Sequence, residues 1–155
     1  MAKTIPFPHS SDTARARRNN KTMLLPIPRA TADALALQVH LALSSLRGAA
    51  ATEADARTLL QTQVLALTIA DAGYGELTPE EARRADDALL ACFERGNRDR
   101  VWRLDGDAFD ALARIVTVYD GQLRSAPLWV LADASERLER MSAGDDERRA
   151  QRKRA

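Results

Sequence analysis

Few residues in this chain have the types and spacing that chemistry needs, and each has a simpler structural use. The run Ala70-Asp-Ala-Gly-Tyr-Gly-Glu-Leu-Thr-Pro-Glu-Glu81 has the frame of a calcium loop between two helices. Gly75 sits at the loop glycine, Leu77 at the apolar eighth position and Glu81 at the bidentate twelfth. Positions one, three and five, however, are Ala70, Ala72 and Tyr74, which removes three of the oxygen donors calcium requires. The segment therefore reads as a turn followed by a helix cap. Asp105, Asp107 and Asp110 are close in sequence, but all fall where a helix begins and where acids cap free amides and complement the dipole.

The remaining reactive types are sparse. His9 and His40 are too isolated to form a ligand set. His40, near Ser44, would titrate in the neutral range if its helix were an interface. Cys92 has no histidine within fifty residues to activate it and reads as a small buried hydrophobe. A single cysteine allows neither an internal disulfide nor a multi-cysteine metal site. No GxGxxG, GxxxxGK[ST], HExxH or GxSxG occurs. The expectation is a protein with no catalytic residues, metal or cofactor.

Charge is the informative property. Residues 1–30 carry a net +5 and residues 148–155 another +5, whereas residues 31–147 hold 12 basic and 21 acidic side chains, a net −9. The overall +1 conceals an acidic body between two basic ends. Basic ends suit nucleic acid, because neutralising each phosphate releases counterions. The candidate contacts are Arg15, Arg17, Arg18 and Lys21 at one end, and Arg148, Arg149, Arg152, Lys153 and Arg154 at the other. Simple solubilisation by charged termini, or folding of the ends back onto the acidic body, would account for the same pattern.

The elements that must position these groups are helical. The chain has 155 residues, one domain by length, and 29 of its apolar residues are alanine and 20 leucine, against 10 valines and isoleucines. That mix favours helices over sheets. The spacing predicts helices over about 31–47 (capped by Thr31, ended by Gly48), 53–72 (capped by Thr52 with Asp55), 79–95 (capped by Thr78 with Pro79, ended by Gly96) and from about Gly106 (capped by Asp105, with a stripe to Tyr119 or Leu123); Pro127 starts or kinks a fifth, and Gly144 closes the folded part. The expected fold is all-α, a compact five-helix bundle with disordered basic N- and C-terminal arms. Residues 1–22 form the first arm, 23–144 a single helical domain and 145–155 a charged tail, either loose or a fraying helical end. Met23, Leu24, Leu25 and Ile27 make an apolar strap that Pro26 and Pro28 hold extended.

The first two helices read as apolar on two sides. Leu35, Val39, Leu43 and Leu46 oppose Leu37 and Leu41, while Leu60, Val64 and Leu67 oppose Leu65 and Ile69. The inner face of the fifth helix is expected to be Leu128, Leu131, Ser135 and Leu138. Leu37, Leu41, Leu65 and Ile69 are thus the candidate contacts of a homodimer, with central helices in a monomer as the alternative. No apolar run approaches the ~20 residues of a membrane span. Pro6, Pro8 and His9 interrupt any signal-peptide core, so a cytoplasmic protein is expected.

Met23-Leu-Leu-Pro-Ile-Pro28, His40-Leu-Ala-Leu43 and Tyr119-Asp-Gly-Gln-Leu123 resemble stretches in a group of small proteobacterial helical proteins often described as Fis-type transcriptional regulators. The resemblance spans roughly residues 21–140. It implies a regulatory or accessory role and supplies no active-site residues. Fis proteins end in a basic helix-turn-helix, whereas the fourth helix here carries only Arg114 in its body. Two functions follow as expectations. One is a non-enzymatic regulator associated with nucleic acid through its basic ends. The other is a protein-binding adaptor, or an antitoxin-like neutralising partner, that uses the acidic body.

Overall fold

A computed structural model describes residues 20–154. Five helices carry the fold: α1 (Arg29–Ser45), α2 (Glu53–Asp71), α3 (Pro79–Asp99), α4 (Gly106–Ser125) and α5 (Leu128–Arg154). A helical stretch at residues 20–23 precedes them, so the helical segments among the described residues number six rather than five. There is no β-strand among the described residues, only an isolated bridge between Pro26 and Pro127. No described helix is long and apolar enough to cross a membrane.

The caps explain where most helices start. At α3, the Glu81 N–H donates to Thr78 Oγ1 at 3.1 Å and the Thr78 N–H donates to Glu81 Oε2 at 2.9 Å, with Pro79 in the first turn. Both partners satisfy amides that the helix itself leaves open. Asp55 reaches back to the Thr52 N–H at 2.8 Å, and Asp105 Oδ1 accepts from the Ala108 N–H at 2.8 Å. The start of α1 departs from expectation. Pro28, with φ −53° and ψ 140°, takes the cap position, and its carbonyl accepts from the Ala32 N–H at 3.0 Å. Thr31 therefore lies inside the helix.

Helix α4 packs against α1, α2 and α3, α2 packs against all four of the others, and α5 packs chiefly against α2. The predicted α4 stripe of Leu112, Ile115, Val116, Tyr119 and Leu123 is buried, with Phe109 at its half-buried start. Alanines at 32, 36, 42, 56, 66, 85, 88, 126 and 134 are buried too. Their small side chains let the helices approach closely, and the leucines fill the remaining space.

Helix α2 uses a different face from the one hydrophobicity suggests. Leu59, Ala66 and Ile69 are buried together with Thr62 and Gln63, while Leu60 is exposed. Ile69, at 1% exposure, belongs to the core, which removes it from the expected dimer contacts; Leu65 is half-buried against the core. The buried polar residues explain the rotation. Thr62 Oγ1 donates to the Thr58 carbonyl at 2.7 Å, and Gln63 Nε2 donates to the Asp86 carboxylate on α3. The Thr62 hydroxyl and the Gln63 amide nitrogen are satisfied in this way, whereas the buried Gln63 Oε1 has no partner.

Gly96 does not end α3. It lies within the helix, buried, and Arg100 in the left-handed conformation (φ 58°) caps the end instead. The reason is packing. Residues 101–104 are extended, and the alternation turns Trp102 and Leu104 inward, with the Leu104 N–H donating to the Leu46 carbonyl at 2.9 Å. Trp102 needs the space that Gly96 leaves, and its ring also meets Phe93 edge-on at 5.4 Å.

Helix α5 also departs from expectation. Its buried residues are Val130 and Ala134, one face over from the expected Leu128–Leu131–Ser135–Leu138 set. The strap fixes this rotation, because the Leu128 N–H donates to the Leu25 carbonyl at 2.8 Å. Nor does α5 close at Gly144. It runs 27 residues to Arg154, so residues 145–154 are helical rather than a disordered arm.

Candidate nucleic-acid interface

From residue 135 onward the side chains of α5 are exposed, apart from half-buried positions 138 and 144. This half of the helix stands away from the core and carries its charges in blocks. Asp145, Asp146 and Glu147 precede Arg148, Arg149, Arg152, Lys153 and Arg154. Acid-before-base order suits a helix, since the cations lie at the negative end of the dipole and i, i+3 and i, i+4 pairs form along the surface. Asp145 lies 3.8 Å from Arg148 in one such pair. Arg148 and Arg152 share one side of the helix, and Arg149 and Lys153 the next. All five basic side chains are exposed and grouped on about two turns.

At the other end of the chain, Lys21 is exposed in the helical stretch at residues 20–23. Arg15, Arg17 and Arg18 lie outside the described residues. Met23, Leu24 and Leu25 of the strap remain exposed, and Ile27 packs against the core.

The candidate dimer contacts separate. Leu37 and Leu41 are each 59% exposed, one turn apart on the outer side of α1, while Leu65 and Ile69 face inward. His40 stands between α1 and α4, with Nε2 3.4 Å from Asp120 Oδ2 rather than paired with Ser44. Arg124 joins the same cluster, 3.2 Å from Asp120 and 3.4 Å from Asp33.

Cys92 is buried, and burial pushes its thiol pKa up, against the opposing influence of the Arg95 charge. A protonated, enclosed thiol is a poor nucleophile. No group of three or more histidines, cysteines or carboxylates arranged for a metal ion occurs among the described residues.

One feature escaped sequence reading. Arg47, Arg95 and Arg103, far apart in the chain, line a single cleft of about 570 Å³ together with Leu104, Asp105, Gly106, Phe109 and Asp110. Nothing in their spacing signals this, because they come from the turn after α1, the last turns of α3 and the 101–104 linker.

Comparison of the chain with protein-family models, curated proteins and solved structures finds no match.

Proposed function

We propose that this is a non-enzymatic regulatory protein that associates with nucleic acid through the basic end of α5, with Lys21, Arg15, Arg17 and Arg18 adding to the attraction. The observation that carries this reading is the helical, exposed placement of Arg148, Arg149, Arg152, Lys153 and Arg154. A helix holds these charges at fixed spacing, so several can meet successive phosphates without each paying the full ordering entropy of a loose tail. The acidic body opposes non-specific collapse of the polyanion onto the rest of the surface. A regulator fits the Fis-type resemblance, but contact here is made by one projecting helix and is directed at the backbone. The lone thiol suits a reducing cytoplasm.

The test is fluorescence anisotropy with a labelled duplex over a range of salt. The full chain should bind with a steep inverse salt dependence. Changing the five tail residues to glutamine should remove most of the binding and flatten the slope by about 0.9 per lost phosphate contact. Undiminished binding by that variant would reject the reading.

Leu37 and Leu41 favour a second reading, a protein partner or a second copy docked on α1. Two large apolar side chains exposed one turn apart are the usual start of a helix–helix contact. Light scattering on the native chain and on a Leu37→Glu, Leu41→Glu variant tests the homodimer, and a monomeric mass for the native chain at high concentration excludes it.

A further inference from the structure

We infer that the cleft formed by Arg47, Arg95 and Arg103 binds phosphate, as part of a phosphate-bearing small molecule. The cleft lies where the end of α1, the end of α3, the 101–104 linker and the N-terminus of α4 meet. Three arginines from three separate segments line it. Among the described residues none of the three makes an ion pair; other arginines, such as Arg83, Arg100 and Arg140, are also unpaired, but these three converge on one cleft. In a body with a net −9 over residues 31–147, three arginines left without carboxylate partners around one cavity are an available binding charge.

Two of the three are held in place before any ligand arrives. The Arg47 guanidinium stacks over the Phe109 ring, 4.3 Å from its centroid, and Arg95 Nη1 donates to the Arg103 carbonyl at 2.6 Å. Such anchoring lowers the ordering cost of binding. The two carboxylates on the rim do not cancel the site. Asp105 spends Oδ1 on the Ala108 amide, and neither it nor Asp110 pairs with an arginine. The positive end of the 20-residue helix α4 opens at Gly106 on the same cleft.

Guanidinium forks match the paired oxygens of phosphate, and a dianion balances several of them better than a single carboxylate does. The volume exceeds that of a phosphate and lies in the range of small-molecule sites, which leaves space for the group that the phosphate esterifies. The same chemistry could be presented by a nucleic-acid backbone.

Isothermal titration calorimetry of the full chain with inorganic pyrophosphate tests this. Saturable one-to-one binding is expected, weakened at least about tenfold in an Arg47→Gln, Arg103→Gln variant, the loss expected when charge-assisted hydrogen bonds are removed. Arg103→Gln alone, at an exposed linker position, serves if the double variant does not show native circular dichroism. Absence of saturable binding up to millimolar pyrophosphate, or affinity unchanged in a folded variant, overturns the proposal. A second arm repeats the titration in the tail-glutamine variant with a short single-stranded DNA present. Undisturbed pyrophosphate binding supports a small-molecule ligand, and displacement by the DNA rejects it in favour of the nucleic-acid backbone. Because that variant lacks the α5 charges, failure of the tail reading and failure of this site are separately visible.

Discussion

The indole of Trp102 occupies the space that a side chain on Gly96 would need: an added Cβ would lie 2.4 Å from the ring. The glycine is there for contact, since its helix continues beyond it. Gly96→Ala should therefore destabilise the fold by about 1–3 kcal/mol, the usual cost of overfilling a packed core, despite alanine's better helix propensity. Urea unfolding followed by tryptophan fluorescence measures it, and a variant as stable as the native chain would contradict the packing.

Thr78→Ala and Asp105→Ala each remove a side-chain acceptor from a helix N-terminus. Each should cost about 1 kcal/mol in denaturant unfolding. Thr31→Ala, inside α1 rather than at its cap, should change stability by only a few tenths of a kcal/mol. Equal losses at all three positions would show that the caps are misplaced.

Glu81 accepts from the Thr78 amide and lies 2.8 Å from Arg114, and these partners hold its carboxyl below the ordinary range. A pKa lower in the folded than in the unfolded state adds stability above the unfolded value. That increment fades as pH falls through the folded pKa. The stability difference between the native chain and Glu81→Gln should thus be largest near neutral pH and shrink on acidification below the ordinary carboxylate range. A difference that stays constant with pH would exclude this linkage.

Cys92 should resist a thiol reagent in the native state and react at the rate of unfolding, since it is buried and its thiol is held protonated. Labelling with a chromogenic disulfide, with and without denaturant, reads this directly. Rapid native labelling would place the thiol at the surface.

Deleting residues 145–155 should leave the unfolding midpoint nearly unchanged, within about 0.5 kcal/mol, because the described side chains there are exposed and make no core contact. Far-UV circular dichroism should fall by about the helical content removed. A large loss of stability would show that the tail packs on the body.

The helical class, the caps at Thr52, Thr78 and Asp105, and the α4 stripe were legible because they depend on neighbours within one or two turns. What was not legible depends on distant partners. Thr62 and Gln63 enter the core with the Thr62 hydroxyl donating to the Thr58 carbonyl and the Gln63 amide nitrogen to Asp86, while Ile69 turns inward and Leu60 outward. Gly96 looks like a terminator until Trp102 is placed over it. The strap's bond from Leu128 to Leu25 sets the rotation of α5, so Val130 and Ala134 are buried while the expected Leu128, Leu131 and Leu138 are half-buried at its edge. The arginine cleft was invisible for the same reason: its members meet only after three segments fold together.

The strap has a mechanical meaning as well. Helix α5 is a rod about 40 Å long, held near one end by Val130 and Ala134 and clasped at its root by Leu25 and Pro26. Anything that grips the tail works on a lever whose free arm, from Ala134 to Arg154, is about 30 Å. The load returns to the short stretch of chain just before α1, so tension at one extremity is felt at the corner where the other extremity enters the fold.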